Sequence, residues 1–127
     1  LKIYVCNIMT QPGETDGMTA HQHAAAICGH AGGKVMDYCI ANRQEIPQEL
    51  LDKYFEDGAE AVEVSRTKFA LDHIKLTEGD YLRIEEGGRL RHDCDKLAQA
   101  ILGVYHARRR GNKPRGQFGM FSFAKNH

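Results

Sequence analysis

The sequence predicts an α/β fold: a Rossmann-like parallel sheet flanked by helices. Strand-like and helix-like runs alternate along the chain, and elements in that order build layered parallel sheets with right-handed crossovers. The opening run, Lys2-Ile3-Tyr4-Val5-Cys6-Asn7-Ile8, has apolar residues at positions of both parities, which suits a strand covered on both faces.

Met9 to Met18 then reads as a loop rich in Thr, Pro, Gly, Glu and Asp. Thr19 with Gln22 three residues later is a capping-box pattern, so a helix begins there. Its apolar positions Ala20, Ala24, Ile27, Cys28 and Ala31 share one face, and Gly29, Gly32 and Gly33 close it. Asp37 to Asn42 is the next strand. Pro47 opens a helix bearing Leu50, Leu51, Tyr54 and Phe55, which Gly58 stops. Ala61 to Val64 is the expected third strand, and Ser65 caps a short helical turn through Leu71.

Ile74 to Leu76 and Tyr81 to Ile84 are short strand candidates around Glu78-Gly79. Gly87-Gly88 makes a turn, and Arg89-Leu90-Arg91-His92 crosses back. Asp93 caps a last helix with Leu97, Ala98, Ile101, Val104 and Tyr105 on one face. No internal repeat is visible.

With 127 residues, 42% hydrophobic and 27% charged, the chain has the composition of one ordinary domain. The zero net charge hides an asymmetry. Residues 1–106 hold 11 Lys and Arg against 17 Asp and Glu, whereas residues 107–127 hold six cations and no carboxylate. The expected organisation is therefore an α/β portion over 1–106 and a basic, flexible tail over 107–127. No run is long and apolar enough for a membrane span, and no signal-peptide pattern opens the chain, so the cytoplasm is the expected location. A first residue already inside a strand-like run leads us to expect a further N-terminal part. The cysteines at 6, 28, 39 and 94 form no C-x-x-C pair and read as reduced, mostly buried thiols.

In open parallel sheets, ligands bind beyond the carboxyl ends of strands, where free N–H groups at a helix start favour anions. Residues 7 to 19 occupy that place. Asn7, Thr10, Gln11, Glu14, Thr15 and Asp16 offer hydrogen-bonding groups of both kinds, and Gly13 and Gly17 permit tight turns, a composition suited to a sugar or a nucleotide. The same residues equally suit a loop that satisfies its own backbone and caps the helix. No G-x-G-x-x-G or G-x-x-x-x-G-K-[ST] pattern is present.

K-I-Y-V-C-N-I-M-T-Q-P-G-E-T-D-G-M-T-A, from Lys2 to Ala20, is similar nearly letter for letter to a segment of YvcK-type proteins in the CofD-like superfamily. The resemblance continues more thinly through Ile46 to Tyr54, Gly58 to Val64 and Leu90 to Asp93, reaching Leu102. It implies the C-terminal half of a larger CofD-like fold, whose glycine-rich phosphate loop is not among these residues. It also implies a regulatory protein that binds UDP-N-acetylglucosamine, linked to gluconeogenic growth and to cell-envelope and cell-shape control. The alternative is a CofD-type phospholactate transferase of deazaflavin-cofactor biosynthesis. Outside the loop, the resemblance extends the ligand site to Tyr54, which can stack on a ring, and to Arg91, whose planar guanidinium suits a diphosphate. His92, between Arg91 and Asp93, is a further donor candidate. No catalytic residue is identified, and a regulator is expected rather than an enzyme.

Other signals are weaker. His21 and His23, two apart, point to different sides of a helix, so no shared metal ion is expected with His30. Glu14 and Asp16 could accompany a diphosphate-bound Mg²⁺. Glu85 and Glu86 read as a solvated turn. The tail, with Phe118, Phe121 and Phe123, resembles a short disordered basic segment more than a nucleic-acid binder, and could anchor on a second subunit. Expected partners are therefore the nucleotide sugar, a regulated protein and a second copy of the chain.

Overall fold

A three-stranded parallel sheet in the order β1 (Ile3–Val5), β2 (Tyr38–Asn42) and β3 (Lys75–Gly79) organises the computed structural model, which describes residues 1–111. Between β1 and β2 lies helix α1 (Ala20–Ala31), and between β2 and β3 lie α2 (Gln48–Glu56) and α3 (Arg66–Leu71). After the sheet, β4 (Leu82–Glu85) and β5 (Arg89–His92) pair antiparallel, and helix α4 (Cys94–Gly111) follows. The predicted parallel α/β class is the one observed.

Helix α1 starts where the capping box puts it. The Thr19 hydroxyl accepts the Gln22 N–H at 3.2 Å, and the Gln22 side-chain oxygen accepts the Thr19 N–H at 2.9 Å. At the other end Gly32 sits at φ 82°, the left-handed conformation in which a side chain would cost energy, and Gly33 N–H returns to the Cys28 carbonyl. Alternation along the strands sends Tyr4, Cys6, Cys39, Ala41 and Leu76 to one face, where they pack with Ala20 and Ala24 of α1 and Phe69 of α3. Phe69 is fully buried, worth about 1.5–3 kcal/mol in transfer free energy. Ile40 and Thr77 alternate to the other face and are also buried, so the sheet is covered on both sides.

The third strand differs from expectation. Ala61–Val64 is not a strand of the sheet: it touches the first loop through one antiparallel bridge, Met9–Ala61, and its Glu63 carbonyl is taken by the Ala20 N–H at the start of α1. Lys75–Gly79 takes the place beside β2, pairing Cys39 with Leu76 and Asn42 with Gly79. The strand ends where the Tyr81 ring folds over Gly79, so close that a Cβ there would lie 2.5 Å from the ring. The strand candidate at Ile74 to Leu76 thus extends through Glu78-Gly79.

Helix α4 continues past residue 106 to Gly111. Arg108, counted with the basic tail from sequence, donates to Asp37 at 2.8 Å, while the Lys2 amide donates to the same carboxylate oxygen at 2.9 Å. These two donors, the Lys2 N–H first, hold the Asp37 carboxyl below its ordinary range. Residues 112–127 lie outside the described residues, and with them Lys113, Arg115, Lys125 and the three phenylalanines of the tail. Of the apolar face expected on α4, only Val104 is buried; Ala98, Ile101 and Tyr105 are exposed. Likewise α1 buries His23 in addition to Ala20 and Ala24, and leaves Ile27 exposed. No helix among the described residues is long and apolar enough to cross a membrane.

The cysteines divide. Cys6 and Cys39 are buried, and burial pushes their thiols up to about 11 and about 12, whereas Cys28 is half-buried and Cys94 exposed. Because the thiolate is the reactive form, a maleimide or disulfide reagent near pH 8 is expected to modify Cys94 first in the native protein. Cys6 and Cys39 should react only after denaturant is added. Their prompt modification in the native state would contradict this packing.

Candidate functional site

The first loop is held down by its own polar residues. Thr10 is buried: its N–H donates to the Glu60 carbonyl at 2.7 Å and its hydroxyl accepts the Glu60 N–H at 2.9 Å. Next to it the Val62 N–H donates to the Ile8 carbonyl. Farther along, the Thr15 hydroxyl accepts the Gln11 N–H at 2.7 Å and the Asp16 carboxylate accepts the Gly13 N–H at 2.9 Å. Gly13 and Gly17, at φ 81° and 67°, supply the left-handed turns that let these bonds close. At Thr10, Thr15 and Asp16 the self-satisfying reading of the loop is therefore the one observed.

The helix start is closed as well. Thr19, Ala20, Gln22 and His23 direct their N–H groups to Gln22, Glu63 and Thr19. Four of the N–H groups at the start of α1 that could hold an anion are thus spent within the chain.

Strand β5 faces the loop. Helix α2 supports it from behind: the Tyr54 hydroxyl accepts the Leu90 N–H at 2.9 Å, and Lys53 Nζ donates to the Gly87 carbonyl at 2.9 Å. Gly87 and Gly88, at φ 84° and 79°, turn the chain from β4 into β5, and a Cβ on Gly88 would meet Leu50 of α2 at 2.8 Å. At the end of β5, His92 Nε2 donates to the Cys6 carbonyl at 3.2 Å, which ties the hairpin to the carboxyl end of β1.

Between loop and strand lies an open cleft of about 370 Å³. Six sequence-predicted residues line it: Asn7, Thr10, Gln11, Tyr54, Arg91 and His92. Glu14, Thr15 and Asp16 do not. Ile8, Met9, Arg89 and Leu90 line it without having been singled out. The signal for Arg89 was present, since residues two apart on a strand share a face, and R-L-R puts Arg89 beside Arg91.

Electrostatically the cleft has two cations and one counter-charge. Arg89 Nη2 and Arg91 Nε each lie 3.5 Å from the same Glu85 oxygen, with both arginine side chains more than half exposed. Such exposed pairs contribute about 0–1 kcal/mol each, while a charge-assisted hydrogen bond contributes about 1.5–3. An anionic ligand can therefore recruit both guanidiniums at small cost. The side chains of Asn7 and Gln11 hold no hydrogen bond among the described residues and can serve a ligand.

No group of three or more His, Cys, Asp or Glu among the described residues could hold a metal ion. With Asp16 bonded to Gly13 and both acids outside the lining, Glu14 and Asp16 do not form a resident Mg²⁺ site in this cleft. His21 pairs with Asp72 and meets the Phe69 ring edge-on.

Residues 1–82 match the family described as 2-phospho-L-lactate transferase CofD. A putative gluconeogenesis factor of Thermoanaerobacterium thermosulfurigenes is 45% identical over 104 residues, 82% of this chain and 32% of that protein. One from Clostridium acetobutylicum is 40% identical over 102 residues, 80% of this chain and 22% of that protein. The fold is similar to the crystal structure of a UPF0052 family member from Bacillus halodurans, with a TM-score of 0.76 at 35% identity, over 80% of this chain and 32% of that one. The chain thus spans at most about a third of the length of these relatives.

Replacing Tyr54 by Phe removes the acceptor for the Leu90 amide while keeping the ring. We expect a loss of about 1 kcal/mol in urea denaturation and faster hydrogen exchange at Leu90. Unchanged exchange would show that the hydroxyl does not hold β5.

Proposed function

This chain belongs to the CofD family, and on that premise we propose that its 370 Å³ cleft binds the diphosphate of a nucleotide sugar, with UDP-N-acetylglucosamine as the ligand. The observation that carries the reading is convergence. Asn7 and Gln11 from the loop, Tyr54 from α2, and Arg89, Arg91 and His92 from β5 meet across one cleft beside the carboxyl end of β1. Two guanidiniums with one shared carboxylate leave net positive charge where a diphosphate would sit. The protein acts as a cytoplasmic ligand-sensing regulator: the bound nucleotide sugar stiffens the contact between loop and hairpin, and a partner protein reads that state. Relatives named as gluconeogenesis factors support a role in gluconeogenic growth, and cell-envelope control follows from the same ligand.

The family's description as a 2-phospho-L-lactate transferase supports a second reading, in which a deazaflavin hydroxyl attacks the phosphorus of an activated phospholactate, forming a phosphodiester as the activating phosphate group leaves. It predicts turnover with Mg²⁺ supplied by the substrate complex. Incubation with both substrates and Mg²⁺ would yield the coupled product under this reading and none under the first.

Calorimetric titration with UDP-N-acetylglucosamine tests the leading reading. Saturable binding is expected, and Arg91→Ala should weaken it by at least about 1.5 kcal/mol, roughly tenfold in Kd. An unchanged Kd in that variant would remove the diphosphate from this cleft.

A further inference from the structure

Beside the cationic cleft lies a second hollow of about 500 Å³, lined by none of the candidate ligand residues of the sequence. The two share Ile8 as a wall. The Met9–Ala61 bridge forms the septum, with Met9 on the cationic side and Ala61 on the other. Both hollows therefore open at the same end of the sheet, beyond β1 on one side and at Asn42, the last residue of β2, on the other.

The chemistry of the two differs. The apolar part of the second hollow's lining is Ile8, Ile46, Pro47, Leu51, Ala61 and Val62, and its other five lining residues are polar or charged. Its charges offset each other: Arg43 and Glu45 both line it, and the Arg43 guanidinium is directed to Asp80 at 3.9 Å. Its rim is also held in place. Asn42 Oδ1 accepts N–H groups from Gln44 and Tyr81, and Gln44 Oε1 accepts the Leu82 N–H. A preformed space that joins an apolar wall to amide groups and to charges that offset each other suits an uncharged ring that also hydrogen-bonds.

We infer that the 500 Å³ hollow receives an uncharged ring attached to the diphosphate, so that one ligand spans both hollows across Ile8. This rests on the nucleotide-sugar reading above and deepens it: the cationic cleft holds charge, and its neighbour discriminates what the charge carries.

Titration of wild type, Ala61→Phe and Leu51→Asn with UDP-N-acetylglucosamine, UDP, N-acetylglucosamine 1-phosphate and inorganic pyrophosphate tests this. Ala61→Phe fills the hollow, and Leu51→Asn alters its wall without touching the bridge. Both variants should bind the nucleotide sugar roughly tenfold more weakly and pyrophosphate as wild type does, which also shows that they fold. The half-ligand that loses affinity in parallel identifies the ring, base or acetamido sugar. Nucleotide-sugar affinity equal to wild type in both variants overturns the inference while leaving the cationic cleft intact. Parallel loss of pyrophosphate in both variants overturns the division into two hollows. A wild-type chain that binds none of the four removes the proposed function, and this inference with it.

Discussion

Strand β5 is anchored by two hydrogen bonds that come from different parts of the chain, and the cleft exists because of them. The Leu90 amide is held by the Tyr54 hydroxyl of α2, and His92 reaches the Cys6 carbonyl just past β1. A two-stranded hairpin has little stability of its own in water. Each bond contributes about 1 kcal/mol, small beside the burial of Phe69 or Ile40, but these bonds decide position. Without them β5 would lose its ties to α2 and to the end of β1, and Arg89 and Arg91 would no longer be held opposite the loop.

The opposite wall follows the same logic with different chemistry. Thr10 spends both its amide and its hydroxyl on Glu60, and Thr15 and Asp16 each spend one side-chain oxygen inside the loop. That leaves Asn7 and Gln11 as the polar side chains of the loop lining that are still available. A wall made rigid by its own hydrogen bonds loses little entropy when a ligand arrives. Polar composition alone does not distinguish structural groups from available ones; the hydrogen-bond partners do.

Much of this was legible in the sequence for local reasons. The Thr19–Gln22 box, the glycine stop at Gly32 and the β2 run each depend on neighbours a few positions away, and each appears where expected. The third strand did not, because Ala61–Val64 is richer in apolar, strand-forming residues than Lys75–Gly79. What separates them is long-range: β2 offers its edge to Leu76, while Glu63 is claimed by the start of α1. The same holds for the site. The family resemblance pointed to Tyr54 and Arg91, but Glu14 and Asp16 were included for their chemistry and lie away from the cleft. Arg89 carried its signal in the R-L-R spacing, and the shared Glu85 carboxylate pairs it with Arg91.

The sheet has a second cationic end, where Lys34, Lys75 and Arg108 surround Asp37 at the amino ends of the strands. A ligand drawn by charge alone could settle at either end, whereas a ligand held by Arg89, Arg91 and the loop side chains sits at the carboxyl end. An ¹⁵N-resolved titration of the chain with UDP-N-acetylglucosamine discriminates directly. The amides of residues 7–11 and 89–92 should shift together and saturably. Shifts confined to residues 34–38 and 73–75, with the loop and β5 unmoved, would contradict binding in the cleft between them.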